Sequence, residues 1–292
     1  MPEQPSVSAV PAASTAALNA ARDALSARLD EVNDINVFPV ADGDTGTNML
    51  LTISAVAEAA AEGADRDGIA RAALTAARGN SGMILSQGLR GATEALEDGG
   101  VVSADAVRAA FGRAAETAYE AVRNPVEGTM LTVARRMAEG AERTAGDAGP
   151  LDVLQAALSA GWQGVEETTG LLEQLQAAGV VDSGALGLVV MTDGIAACAE
   201  GREIVAAGVA ERVSAQATEH MPSRYRYCTT FLIEGDDLDL ERVEDELEAI
   251  GDSILVIGDP ARAKVHIHTD EPLRAAEMAG APGSIEALSY DD

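Results

Sequence analysis

The chain has 292 residues, with 20 Lys and Arg against 48 Asp and Glu, a formal net charge of −28. Such a field repels nucleic-acid phosphates and anionic membrane surfaces. Lys264 is the only lysine, set in Ala-Lys-Val-His-Ile-His, which excludes both a Walker-A loop and the strand lysine of a protein kinase. If the chain handles ATP, something other than lysine must neutralise the phosphates.

Two cysteines, Cys198 and Cys228, form no disulfide framework and fit a reducing compartment. No signal peptide is visible, and the longest apolar run, Ala-Leu-Gly-Leu-Val-Val-Met, falls far short of the roughly twenty residues that span a bilayer. The expectation is a soluble cytoplasmic protein with no membrane span.

In chain order, residues 1–13 carry three prolines and read as a flexible arm. Residues 14–204 are rich in Ala and Leu at helical spacing, predicting helices near 15–32, 47–62, 67–77, 82–97, 103–122, 129–145, 151–178 (with a possible break near Gly161) and 184–200. Residues 205–222 read as a linker. Residues 223–292 change character: Tyr225, Tyr227, Phe231 and Tyr290 all fall there. The pattern predicts strands at 225–234, 253–258 and 263–269, an acidic helix at 239–250 and a further helix from Pro272. The expected fold is multidomain: an all-α bundle followed by a small α+β domain.

The densest polar cluster is Asn36-Val-Phe-Pro-Val-Ala-Asp42-Gly-Asp44-Thr-Gly-Thr-Asn48. Two carboxylates flanking a glycine can aim at one hard cation, with Asn36 as a neutral oxygen donor. An ordinary Asp-Gly turn capping a helix would use the same residues. Recurrence favours the first reading. Small polar and glycine clusters open an apolar helix at Asp44-Thr-Gly-Thr-Asn-Met, Arg78-Gly-Asn-Ser-Gly-Met, Glu127-Gly-Thr-Met-Leu and Asp182-Ser-Gly-Ala-Leu. Each is a helix N-terminus whose N–H groups and positive dipole end suit an anion, and four could converge on a polyphosphate.

In the second domain His266 and His268 alternate with Val265 and Ile267 on a strand, so both imidazoles leave one face. With Cys228 from another strand they make a candidate set for a metal; two surface histidines and a buried, inert cysteine are the plainer alternative. Other residues read as bland. His220 lies in the linker, Cys198 is expected in the core, and Trp162, Met49, Met83, Met130 and Met191 sit at core spacing. Arg78 suits a phosphate or an ion pair equally, and the acidic run 234–248 reads as a solvated helix face.

Together NVFPVADGDTGTNM, AARGNSGMILSQGLRG, PVEGTMLTVA and VVDSGALGL resemble the kinase domain of bacterial fatty acid kinase, which is related to the nucleotide-binding L subunit of dihydroxyacetone kinase. The resemblance spans about residues 15–200 in the family's order. It implies a barrel of about eight antiparallel amphipathic helices binding ATP across one end through Mg²⁺. Asp42 and Asp44 would then hold the metal, with Asn36 near the place of a third aspartate. Thr45, Gly46, Thr47 and Asn48 would line the phosphates, and Gly79, Asn80, Ser81 and Gly82 would cradle them. Gly128, Thr129, Asp182, Ser183 and Gly184 would complete the pocket. The segments around Cys228 and His266–Asp270 resemble the middle domain of fatty acid kinase, which implies zinc on Cys228, His266 and His268.

The reaction so implied is transfer of the γ-phosphate of ATP to a fatty acid carboxylate, giving an acyl phosphate. The carboxylate is already anionic, so no general base is needed. The fatty acid would be presented by a separate fatty-acid-binding carrier protein. Members of the family are often dimeric, and they usually continue into a third domain that engages the carrier. That domain is absent from this sequence, so nucleotide binding is expected without assurance of full turnover. A dihydroxyacetone-kinase-type subunit and a non-catalytic nucleotide- and metal-binding regulatory protein are the competing readings.

Overall fold

The computed structural model describes residues 9–96, 102–203, 224–280 and 283–291. The linker 205–222 with His220 falls outside them, as do residues 1–8 of the arm. The helical region contains α1 (Ala9–Ala27), α2 (Leu29–Asp34), α3 (Thr45–Ala61), α4 (Arg66–Ala76), α5 (Gly79–Ala95), α6 (Ala104–Glu120), α7 (Met130–Glu142), α8 (Pro150–Leu171), α9 (Glu173–Ala178) and α10 (Ser183–Glu200). Helix α1 thus reaches back to Ala9, into the segment expected as an arm. The helix expected at 15–32 breaks at Arg28, where the chain turns into α2. The one expected at 151–178 breaks at Leu172, whose backbone is extended, while Gly161 continues the helix. Gly161 instead lets α8 approach Met137 and Val189, which a Cβ there would meet at 2.9 and 3.0 Å.

Eight longer helices form a closed ring in the order α1, α3, α4, α5, α6, α7, α8, α10, with α10 returning to α1. Alternation of direction around that ring puts the starts of α3, α5, α7 and α10 at one end. The interior is filled by Leu25, Met49, Ile53, Met137, Leu186, Val189 and their neighbours, all buried. Met49, Met83, Met130 and Met191 are all core residues. Cys198, expected in the core, is exposed; it falls near the end of α10, past its last fully buried turn. Among the described residues α10 alone has the length and apolarity to cross a membrane, but 67% of it is buried inside the protein. Its hydrophobicity is that of a central helix packed on every side.

The second region is a four-stranded antiparallel sheet in the order β2 (Gly251–Asp259), β3 (Arg262–Thr269), β1 (Tyr227–Gly235), β4 (Gly283–Asp291). Strand β4 was not expected from the sequence, which suggested only a helix from Pro272. Helices α11 (Leu240–Leu247) and α12 (Pro272–Ala279) contribute to a core with Phe231, Ile233, Ala263, Val265 and Ile267. By the two-residue period of a strand, the opposite face carries Cys228, Thr230 and Leu232 of β1 beside His268, His266 and Lys264 of β3. That face meets the helical domain. Leu255 and Ile257 of β2 pack with Ala77 and Met83 in one buried cluster, and Arg123 pairs with Asp245 across the rim at 2.5 Å. The acidic face of α11 is therefore partly an interdomain contact.

Candidate functional site

A cleft lies between the ring's end and the sheet. It is lined by Asn36, Asp42, Asp44 and Thr45, by Gly79, Asn80 and Ser81, by Thr129, and by Asp182, Ser183 and Gly184. Cys228, His266 and His268 line it from the other domain. The starts of α3, α5, α7 and α10 thus converge, and both candidate metal sites share the space between them. Five candidate residues do not line it: Gly46, Thr47, Asn48, Gly82 and Gly128.

Each of those five has a structural task. Asn33, which the sequence pattern did not single out, accepts hydrogen bonds through Oδ1 from Gly46 N at 2.8 Å and Thr47 N at 3.2 Å. Its Nδ2 donates to the Thr47 hydroxyl at 3.0 Å, so those amides are spent capping α3. Asn48 is buried and hydrogen-bonds the Asp44 carboxylate from behind. It also fixes Gly79, at φ +56°, because a Cβ there would lie 2.5 Å from Asn48 Nδ2. Gly82 allows α5 to cross α3 over Thr52 and the Asn48 carbonyl, and Gly128 forms a turn tight against Leu171.

Asn36 is buried with both ends of its amide engaged. Nδ2 donates to Asp42 at 2.5 Å, while Oδ1 accepts from the Thr45 hydroxyl at 2.9 Å and the Ser183 hydroxyl at 3.2 Å. Such an amide orients Asp42 and ties α3 to α10 more readily than it offers an oxygen to a cation. Asp44 is pushed up to about 6, first by burial and then by the charge of Asp42, to which it is also hydrogen-bonded. Two touching carboxylates that resist joint ionisation fit a divalent cation, which replaces the proton and neutralises both charges.

The four helix starts are not equivalent. Asp182 caps α10 by accepting from Ala185 N at 2.8 Å and also takes the Met130 amide at the start of α7. Burial outweighs those two bonds and raises its carboxyl to about 7. Thr129 accepts from Leu131 N at 3.3 Å, and Asn33 caps α3 as above. Helix α5 has no side-chain cap among the described residues, so Gly79, Asn80 and Ser81 offer its first amides to the cleft.

On the opposite wall the ligand atoms of Cys228, His266 and His268 all lie within 4.8 Å of one another, with Cys228 Sγ 3.9 Å from His266 Nδ1. Donors around a tetrahedral zinc lie about 3.3–3.8 Å apart, so a small contraction would close the set on an ion. Burial pushes His266 down to about 3 and lowers His268 as well, which keeps both imidazoles in the neutral form that binds metals. Asp44 and His268 act electrostatically on each other across the cleft. An apolar wall of Phe38, Val40, Ile84, Val122, Val126 and Leu255 completes the lining; in sequence these residues are scattered, and no local pattern joins them.

The profile of the DAK2 domain matches residues 39–197, more than half of the chain. The profile of the middle domain of FakA-like fatty acid kinase proteins matches residues 224–292. An uncharacterized protein of Staphylococcus aureus strain USA300 is 35% identical over 289 residues, covering 92% of this chain and 53% of its own. An uncharacterized protein of Staphylococcus saprophyticus is 34% identical over 268 residues, covering 85% of this chain and 49% of its own. The chain thus spans about half the length of these relatives. Among solved structures, dihydroxyacetone kinase from C. freundii in complex with AMP-PNP and Mg²⁺ aligns with a TM-score of 0.48 at 21% identity, over 67% of this chain and 35% of that one. On the match across the helical ring and the cleft's four helix starts, the chain belongs to the DAK2-domain family.

Proposed function

We propose that this chain is the ATP-binding component of a kinase that transfers the γ-phosphate to a fatty acid carboxylate, presented by a separate carrier protein, giving an acyl phosphate. The observation that carries the reading is the Asp42–Asp44 pair, with Asp44 raised in pKa by burial and by the neighbouring charge, facing the uncapped start of α5. Mg²⁺ on those carboxylates would supply the charge neutralisation that lysine supplies in other ATP sites. Asn36 and Asn48 hold the two carboxylates in place. The amides of Gly79 to Ser81 would donate to phosphate oxygens, and the apolar wall would limit water. The fatty acid as acceptor is supported by the middle-domain match over residues 224–292.

Zinc on Cys228, His266 and His268 belongs to the same proposal. Its support is the soft, neutral donor set, which differs in kind from the carboxylates opposite. Full turnover belongs to the longer protein that the relatives' length suggests. The test is incubation of the chain with ATP, Mg²⁺ and a carrier loaded with fatty acid, followed by assay of acyl phosphate. Acyl phosphate that depends on Mg²⁺ supports the reading. Magnesium-dependent phosphorylation of dihydroxyacetone, with none of the fatty acid, would move the assignment to the other branch.

A further inference from the structure

Lys264, the one lysine, lies in the interdomain seam and is 5% exposed. It stands on the face of β3 that meets the helical domain, with Leu232 and Ile257 as its strand neighbours. Its ammonium donates to the carbonyl oxygen of Thr75 at 2.5 Å. Thr75 is in the last turn of α4, where carbonyls lack a partner along the helix and the dipole is negative. That turn contains no basic residue of its own. Among the described residues no carboxylate pairs with Lys264. The α4 terminus is therefore capped by a cation from the other domain.

From Thr75 only Ala76, Ala77 and Arg78 precede Gly79. Ala77 is fully buried against the seam formed with Leu255 and Ile257. The position of the α4 end thus fixes where α5 begins, and α5 is the helix whose first amides are left open to the cleft. We propose that Lys264 is a positioning residue of the nucleotide site: by holding α4 from the middle domain, it sets the place of the Gly79–Ser81 amides. The inference rests on the nucleotide reading above and adds that the middle domain controls it.

The test is calorimetric titration of the full chain with Mg²⁺ and AMP-PNP, together with amide hydrogen exchange. Lys264→Met is expected to weaken binding about tenfold, the scale of one charge-assisted hydrogen bond, and Lys264→Arg to restore most of it. In Lys264→Met, exchange at Asn80 and Ser81 should quicken while Gly46 and Thr47, capped by Asn33, stay protected. Unchanged affinity and unchanged exchange in Lys264→Met overturn the proposal, as does an equal loss in Lys264→Arg. If Lys264→Met does not fold, the same measurements on Lys264→Gln decide by the same criteria. A wild-type chain that fails to bind Mg²⁺ and AMP-PNP sinks the nucleotide reading instead, and the exchange measurement then decides alone whether Lys264 holds the start of α5.

Discussion

The two walls of the cleft answer burial in opposite ways. On the helical wall burial and a like charge raise Asp44 to about 6, so its carboxyl tends to keep a proton. On the sheet wall burial lowers both histidines, so their rings tend to lose one. Both walls approach neutrality, yet they prepare for different cations. Hard oxygens in a loop suit Mg²⁺, whereas a thiol and two neutral imidazoles on rigid strands suit zinc. Their proximity means that the charge on one wall is felt at the other, as Asp44 and His268 already show. One cleft can thus keep two metal chemistries apart by ligand type.

Asp42→Ala gives the strongest break of this comparison. It should cut phosphoryl transfer about a thousandfold, as expected when a main source of transition-state charge stabilisation is removed, while leaving zinc content unchanged. Steady-state kinetics and metal analysis of the same preparation check both halves. Cys228→Ala should do the reverse, emptying the zinc site while Mg²⁺-dependent nucleotide binding survives in weakened form; equal zinc in wild type and variant would remove Cys228 from the ligand set. Ile257→Ala, at a side chain only 2% exposed in the seam, should cost about 2–4 kcal/mol. The loss is read as an earlier melting of the sheet domain by calorimetry.

Asp182 supplies a pH test confined to the helical wall. Its native carboxyl holds a proton up to about pH 7, whereas the unfolded chain releases it near 3.8. Between those values the native state binds more protons, so stability falls as pH rises through the window. Melting should drop by roughly 5 °C between about pH 5 and 8, and Asp182→Asn, which keeps an accepting oxygen for the amides, should flatten that slope. Identical pH profiles would show that Asp182 is ionised in the fold. Asp245→Ala, which removes an exposed rim pair with Arg123, should change stability by less than about 0.5 kcal/mol.

Much of the helical ring is legible in the sequence, because a 3.6-residue apolar period and glycine-marked ends are local signals. The breaks at Arg28 and Leu172 were less legible, since neither residue carries a strong stop signal and packing decides where the chain turns. Strand β4 escaped for a similar reason: pairing with β1 supplies a partner that residues 283–291 cannot announce alone. At the site, the sequence suggested that four helix starts could meet. It could not show that Asn33, Thr129 and Asp182 occupy the amides of three of them and leave α5 open.

By itself the sequence determined the chemical types: two carboxylates in a tight loop, four glycine-rich helix starts, two histidines on one strand face, and a phosphate site that has to work almost without lysine. Residue type and spacing are properties of a short segment, so they can be read there. Tertiary structure alone decided that the histidine face turns toward the carboxylates and that both share one cleft. It also decided that Lys264 spends its charge on the end of α4. Those facts depend on the docking of two domains across a buried seam, and the residues that meet there lie far apart along the chain.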